Sequence, residues 1–197
     1  MRAPKLRELK EALIAIFSGP YTASFPAEPT PLPETFRGRP HHDEKECVGC
    51  GACANVCPAG ATEIEDDVKA GIRRIIIRLD RCIYCGQCQA DCITEKGVKM
   101  TLDYDLATTD RATLREKIEK TLLSCEACGA VIGAREHVTW VARRIGPLSF
   151  ANPTLLLAAM QDQGLVGTLP PPAGPLGRGD RLRILCPKCR QVTSLVV

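Results

Sequence analysis

Eight of the twelve cysteines in this 197-residue chain fall into two copies of one spacing. The first copy is Cys47-x2-Cys50-x2-Cys53-x3-Cys57-Pro58 and the second is Cys82-x2-Cys85-x2-Cys88-x3-Cys92. Three cysteines at x2, x2 spacing sit on one short loop that can curl around an inorganic cubane and reach three of its irons, but not the fourth. The fourth ligand is supplied by the far cysteine of the other copy. The spacing therefore predicts one [4Fe–4S] cluster on Cys47, Cys50, Cys53 and Cys92, and a second on Cys82, Cys85, Cys88 and Cys57. Every iron then carries a thiolate and none is open to a substrate. The chemistry is one-electron transfer, and no catalytic residue is assigned. Gly49, Gly51 and Gly86 allow the backbone to turn sharply and approach the sulfides. Two such runs suit metal better than disulfide geometry, and no signal-peptide pattern argues for an oxidising compartment.

The other four cysteines form two C-x2-C knuckles, Cys125-Glu-Ala-Cys128 and Cys186-Pro-Lys-Cys189. Two facing knuckles make a tetrahedral four-sulfur site that suits Zn²⁺ as a closed structural centre. The alternatives are mononuclear iron, which takes the same four thiolates, and unpaired or redox-sensing thiols. A zinc there would staple the C-terminal segment back onto the chain, and its binding free energy would become folding free energy.

The elements that must position these cysteines read as α+β. The fold expected is a pseudo-twofold 2[4Fe–4S] ferredoxin core with an N-terminal amphipathic helix, a Pro-rich arm and a C-terminal helical segment stapled by the four-cysteine site. The domains are residues 1–19 for the helix, 20–44 for the arm, 45–103 for the ferredoxin domain and 104–197 for the helical extension. Leu6, Leu9, Leu13, Ile16 and Phe17 recur at helical spacing over 4–17, opposite a basic face of Arg2, Lys5, Arg7 and Lys10. That helix could lie on an anionic membrane surface or pack on protein. Prolines at 20, 26, 29, 31, 33 and 40 predict an extended arm or a linker.

Within the core, 71–80 reads as a β-branched strand, "GATEIE" (60–65) matches "KGVKMT" (96–101), and each half is expected to place a short helix after its fourth cysteine. Beyond it, Asp110 is expected to cap a helix over 111–123, with Leu114, Ile118 and Leu122 on one face. Further helices are expected over 135–145, ending before Gly146, and from Asn152-Pro153 to Gly164. Residues 166–180 form a Pro/Gly linker, and "RLRILCPKC" a strand entering the second knuckle. His41 and His42, just before Cys47, read as a solvated or interface pair, with tuning of the first cluster as the alternative.

The formal net charge is +3 and the pI about 8.3. Thiolates, oxidised clusters and one zinc lower that charge by about six, to roughly −3. The basic pI therefore does not imply nucleic-acid binding, although Arg178, Arg181, Arg183, Lys188 and Arg190 gather near the second knuckle. The apolar run at 12–17 is too short to span a bilayer.

"YTASFPAEP" (21–29), "FRGRP" (36–40), the first cysteine run, "MTLDYDLATTDR" (100–111) and the trailing "CPKCRQ" (186–191) together resemble a known family. It is the two-cluster ferredoxin subunit of formate hydrogenlyase and related membrane-bound group 4 [NiFe]-hydrogenases. That subunit is similar to the 8Fe ferredoxin subunit of respiratory complex I. The departure from the pattern is Ile93, where a proline follows the last cysteine of the first run. The resemblance implies a non-catalytic electron-transfer subunit of an oxidoreductase complex. It implies that electrons pass from an electron-input iron–sulfur subunit, of formate dehydrogenase or ferredoxin type, to the hydrogenase small subunit and so to the large subunit. Membrane-arm subunits would be indirect partners, and the location cytoplasmic and peripheral on the cell membrane. The alternatives are a complex I-like 8Fe subunit, a free soluble ferredoxin, and a zinc-stapled nucleic-acid or regulatory module.

Overall fold

The computed structural model describes residues 5–19, 22, 24–28 and 30–195, and the chain divides into two units after Phe36. Arg2, Pro4, Pro20, Tyr21, Ala23 and Pro29, which figure in the helix and arm expected above, lie outside the described residues. In the smaller unit, helix α1 spans Leu6–Ser18. The Lys5 N–H donates to the Glu8 carboxylate at 3.0 Å, which satisfies one of the free donors at the helix start. Gly19, at φ +71°, ends the helix.

The larger unit, from Arg37 onward, is organised by two antiparallel sheets. Strands β1 (Pro40–His42) and β4 (Val98–Met100) form the first. The second has the order β2-β3-β5-β6, built from β2 (Thr62–Asp67), β3 (Ile72–Arg78), β5 (Arg115–Ser124) and β6 (Val131–Ala134). Residues 37–44, assigned to the arm from sequence, thus belong to the larger unit, because β1 has β4 as a hydrogen-bonding partner.

The strand expected over 71–80 is β3, and its side chains alternate as a pleated strand requires. Ile75 and Ile77 are each 1% exposed and Leu79 is buried beyond them. Ile75 packs with Ile118, Cys47 and Cys53, while Ile77 packs with Leu79 and Val98.

Several expectations about the elements need correction. Residues 115–124 are strand β5, not the body of a helix. Leu114, Ile118 and Leu122 are spaced by four, which a helix face and a strand face both accommodate. The free edge of β3 decides between them, since Ile72–Arg78 pair in register with Thr121–Arg115. Asp110 does cap, accepting from the Ala112 N–H at 2.9 Å, but for a single 3₁₀ turn over Arg111–Thr113. The C-terminal extension is therefore joined to the ferredoxin sheet through β5 and β6 and is not purely helical.

The short helices α2 (Ala52–Asn55) and α3 (Gln87–Ala90) come before the fourth cysteine of each run, not after it. Gly51 and Gly86, at φ +84° and +78°, turn the chain into them immediately after Cys50 and Cys85.

The segment entering the second knuckle is not a sheet strand. A 3₁₀ turn over Arg178–Leu182 leads to extended backbone and then to α6 (Pro187–Leu195). Its polar groups find other partners. Ile184 N–H donates to the Glu126 carboxylate at 3.1 Å, Leu185 N–H to Thr154 Oγ1 at 3.2 Å, and the Ile184 carbonyl accepts from Glu126 N–H.

Helices α4 (Arg135–Ile145) and α5 (Pro153–Asp162) match their expected positions. Asn152 caps α5 by accepting from the Thr154 N–H at 3.0 Å. They enclose a second core of Leu123, Val138, Ala158 and Ile184.

Because Ile75 underlies the first cysteine loop, Ile75→Ala should cost about 2–5 kcal/mol. We expect a clear drop in the thermal midpoint of the full chain measured anaerobically. The same change at the partly exposed Ile64 should have a much smaller effect.

Candidate iron–sulfur and metal centres

The two cysteine runs fold into loops with the same backbone shape. Left-handed φ values occur at Gly49, Gly51 and Gly60 in the first run, at +72°, +84° and +57°. They recur at Tyr84, Gly86 and Glu95 in the second, at +53°, +78° and +61°. Tyr84 and Glu95 escaped the sequence reading, since only glycine takes this region without steric cost. Their alignment with Gly49 and Gly60 across the two copies was the available signal.

Cys47, Cys50, Cys53 and Cys92 line one cavity, walled mostly by apolar groups such as Val48, Ile75, Ile93 and Val98, with His42 and Thr94 also on its wall. Cys57, Cys82, Cys85 and Cys88 line a second, with Ile77, Tyr84 and Met100. Cys88 borders both, so the cavities adjoin.

Gly97 lines the first cavity where the chain packs closely. A Cβ there would stand 2.8 Å from Thr94 Oγ1 and 3.2 Å from Cys92 Sγ. Gly97 was not singled out from sequence, because the first run has Thr62 at the matching position.

Hydrogen-bond donors point at sulfur. Ala52 N–H lies 3.5 Å from Cys50 Sγ, Tyr84 N–H 3.4 Å from Cys82 Sγ, and Ala61 N–H 3.2 Å from Cys57 Sγ. The Thr94 hydroxyl is 3.4 Å from Cys92 Sγ. Burial pushes the Cys53 thiol up to about 12, helped by Cys47, Cys50 and Cys88, and burial pushes Cys88 up to about 11. Burial also raises Cys47 and Cys82. At Cys57 burial acts upward too, but backbone donors from Thr62, Ala61 and Ala59 outweigh it and lower the thiol. Cys92 is lowered in the same way, chiefly by Thr94.

Crowded, buried thiols can all ionise only if a cationic centre sits among them. Sulfur donors, apolar walls and inward-facing N–H groups are the surroundings an iron–sulfur cluster needs. The residues present fit that group.

His41 and His42 separate. His41 is exposed, with Nδ1 3.1 Å from Glu116 Oε1. His42 is buried, and its Nε2 lies 3.9 Å from Cys53 Sγ. Burial, with some help from His41, lowers its pKa to about 4, so the ring is neutral. For His42 this corrects the reading of a solvated or interface pair, since β1–β4 pairing turns it inward, whereas His41 stays exposed.

The four remaining cysteines converge. The sulfurs of Cys125, Cys128, Cys186 and Cys189 all lie within 4.8 Å of one another, and Cys128 and Cys186 are 3.7 Å apart. A tetrahedron with metal–sulfur bonds of about 2.3 Å has edges of about 3.8 Å, so the spacing suits one mononuclear ion. At Cys125 burial acts upward but backbone donors from Cys186, Cys128 and Ala127 outweigh it, bringing the thiol down to about 7.

Arg190 braces the second knuckle, donating to Thr154 Oγ1 at 2.6 Å and to the Arg183 carbonyl at 2.8 Å. Arg181 and Arg183 are likewise engaged, with the carbonyls of Thr193 and Pro170 among their acceptors. Much of the basic cluster noted in the sequence thus serves internal bracing.

A family model described as a 4Fe-4S dicluster domain matches residues 46–96. Formate hydrogenlyase subunit 6 of Escherichia coli (strain K12) is 30% identical over 125 residues, covering 64% of this chain and 69% of that protein. NADH-quinone oxidoreductase subunit I 2 of Geobacter metallireducens is 35% identical over 120 residues, covering 56% of this chain and 90% of that protein. Among solved structures, a chain from the membrane-bound sulfane sulfur reductase (MBS), an archaeal respiratory membrane complex, aligns with a TM-score of 0.42 and 27% identity. That alignment covers 58% of this chain and 61% of the other. No helix among the described residues is long and apolar enough to cross a membrane. The cysteine loops and the relatives together make this chain a member of the ferredoxin-subunit family of formate hydrogenlyase and membrane-bound group 4 [NiFe]-hydrogenases, related to the 8Fe ferredoxin subunit of complex I, and an iron–sulfur electron-transfer subunit.

Proposed function

We propose that the chain relays single electrons from an electron-input iron–sulfur subunit, of formate dehydrogenase or ferredoxin type, to the small subunit of a membrane-bound [NiFe]-hydrogenase. Two [4Fe–4S] clusters supply the one-electron chemistry when bound. Cys47, Cys50, Cys53 and Cys92 hold the first; Cys82, Cys85, Cys88 and Cys57 hold the second. The observation that carries this reading is the composition of the two cavities: Cys47, Cys50, Cys53 and Cys92 meet in the first, which Cys88 also borders, and Cys82, Cys85, Cys88 and Cys57 meet in the second.

The protein's part is to bind and orient. The loops aim N–H groups at sulfur, the apolar walls keep water away, and the shared border at Cys88 keeps the two sites close enough for electron tunnelling. The pseudo-twofold relation of the two halves belongs to the same proposal, supported by the matching left-handed positions in the two loops. Cys125, Cys128, Cys186 and Cys189 hold a zinc that ties α6 to the loop after β5. The helix within 1–19 and the arm of 20–44 serve as docking appendages to the 45–103 ferredoxin domain and its 104–197 extension. On this proposal the assembly sits on the cytoplasmic side of the membrane. The exposed Leu6, Leu9, Leu13, Ile16 and Phe17 of α1 are the support for peripheral contact with lipid or a membrane-arm subunit.

Tagged full-length chain isolated anaerobically from its host should bring down hydrogenase small and large subunits. Recovery as a lone monomer would point to a free ferredoxin instead. Metal analysis should return about eight irons and one zinc per chain. Cys57→Ala should disturb the EPR signal of the second site and Cys92→Ala that of the first. If each change disturbed only the site of its own run, the crossed assignment would be wrong. Cys186→Ser should release zinc and lower thermal stability while leaving both iron–sulfur signals in place.

A further inference from the structure

Lys120 is a charged side chain on the buried face of β5. It is 6% exposed, beneath the loop that carries Cys47, Cys50 and Cys53. Its Cβ and Cγ would lie 3.2 and 3.1 Å from a Cβ placed on Gly49, so the lysine stem touches the loop backbone directly. The ammonium donates to the Glu44 carbonyl, three residues before Cys47, and pairs with Glu136 Oε2 at 2.7 Å.

An ammonium held this deep has lost most of its water, and a single counter-ion and one carbonyl stand in for it. The pair is lopsided. Lys120 faces the loop, whereas the Glu136 side chain is 47% exposed and screened by solvent. Its field at the first cavity is therefore that of a positive charge only partly cancelled.

Two other cations at the cysteine loops differ in this respect. Arg73 donates to the Gly49 carbonyl at 3.1 Å but is closed off by a two-point pair with Asp66, at 2.7 and 2.8 Å. Arg37 reaches the Cys85 carbonyl at the second cavity from an exposed position, where water weakens its field.

We infer that Lys120 sets the reduction potential of the first site, holding it more positive than its four thiolates alone would allow. Reduction adds one negative charge, and a buried positive charge stabilises the reduced form more than the oxidised one. The strand that supplies Lys120 comes from the C-terminal extension, so the extension reaches the redox chemistry and does not merely cover it. This inference rests on the cluster assignment proposed above.

The test is a potentiometric titration of the full chain followed by EPR, with the first site identified as the signal that Cys92→Ala disturbs. Lys120→Met should move that site to a more negative potential and leave the second unmoved. Lys120→Arg, which keeps the charge, should stay near the parent value. Glu136→Gln is a change at a half-exposed position that leaves Lys120 less compensated. It should move the first site the opposite way, to a more positive potential. Opposite shifts from the two partners are not expected if Lys120 only braces the loop. Unshifted potentials in both Lys120→Met and Glu136→Gln, or equal shifts at both sites, would overturn the role of Lys120 while leaving the cluster assignment standing. Absence of any iron–sulfur signal in the parent chain would overturn both.

Discussion

The larger unit depends on the alternation of one strand. Buried residues on β3 fall two apart, so Ile75 and Ile77 lie on the same face of the sheet. Ile75 reaches the first cavity and Ile77 the second. A register slip of one residue would present arginine and isoleucine of the opposite face instead. The antiparallel pairing of β3 with β2 on one side and β5 on the other holds that register. Both cysteine loops therefore take their spacing from a single element, and the C-terminal extension is anchored to the same element.

The electrostatics follow from burial. Thiols gathered among apolar walls ionise reluctantly, and the fold answers with N–H groups aimed at sulfur and with cations at the edges. The edges differ. The first loop is underlain by a buried lysine and an arginine pair, while the second is met by an exposed arginine. The second loop also carries Tyr84 where the first has Gly49, and its hydroxyl ties back to the Leu79 carbonyl at 3.3 Å. The backbone shape is repeated, but the surroundings that set the properties of a bound cluster are not.

The group of four C-terminal cysteines belongs to a different physical regime. Its sulfurs lie close enough for one ion, and side chains join backbone turns in satisfying the chain around it. Thr154, at the start of α5, accepts from Leu185 N–H, donates to the Leu185 carbonyl at 3.0 Å, and accepts from Arg190. The capping turn of one helix thus secures the knuckle that opens another. This region shares Ile132 of β6 with the second core, to which β5 contributes Leu123, so the four-cysteine group is joined to the sheet through neighbouring strands.

Much of this was legible in the amino-acid order. The cysteine spacing announced iron–sulfur chemistry because reach along a short loop is fixed by bond lengths and backbone geometry. Asn152, Pro153, Gly146 and Gly164 marked the ends of α4 and α5 because capping is settled within a few residues. Tertiary structure decided what local signals left ambiguous. Leu114, Ile118 and Leu122 fit either a helix or a strand, and only the free edge of β3, about forty residues earlier in the chain, made them strand. That decision turned Lys120 inward, just as β1–β4 pairing did for His42. Side-chain chemistry and short-range spacing belong to the chain itself, whereas burial is a property of what other segments fold against it, and no window of neighbouring residues contains that information.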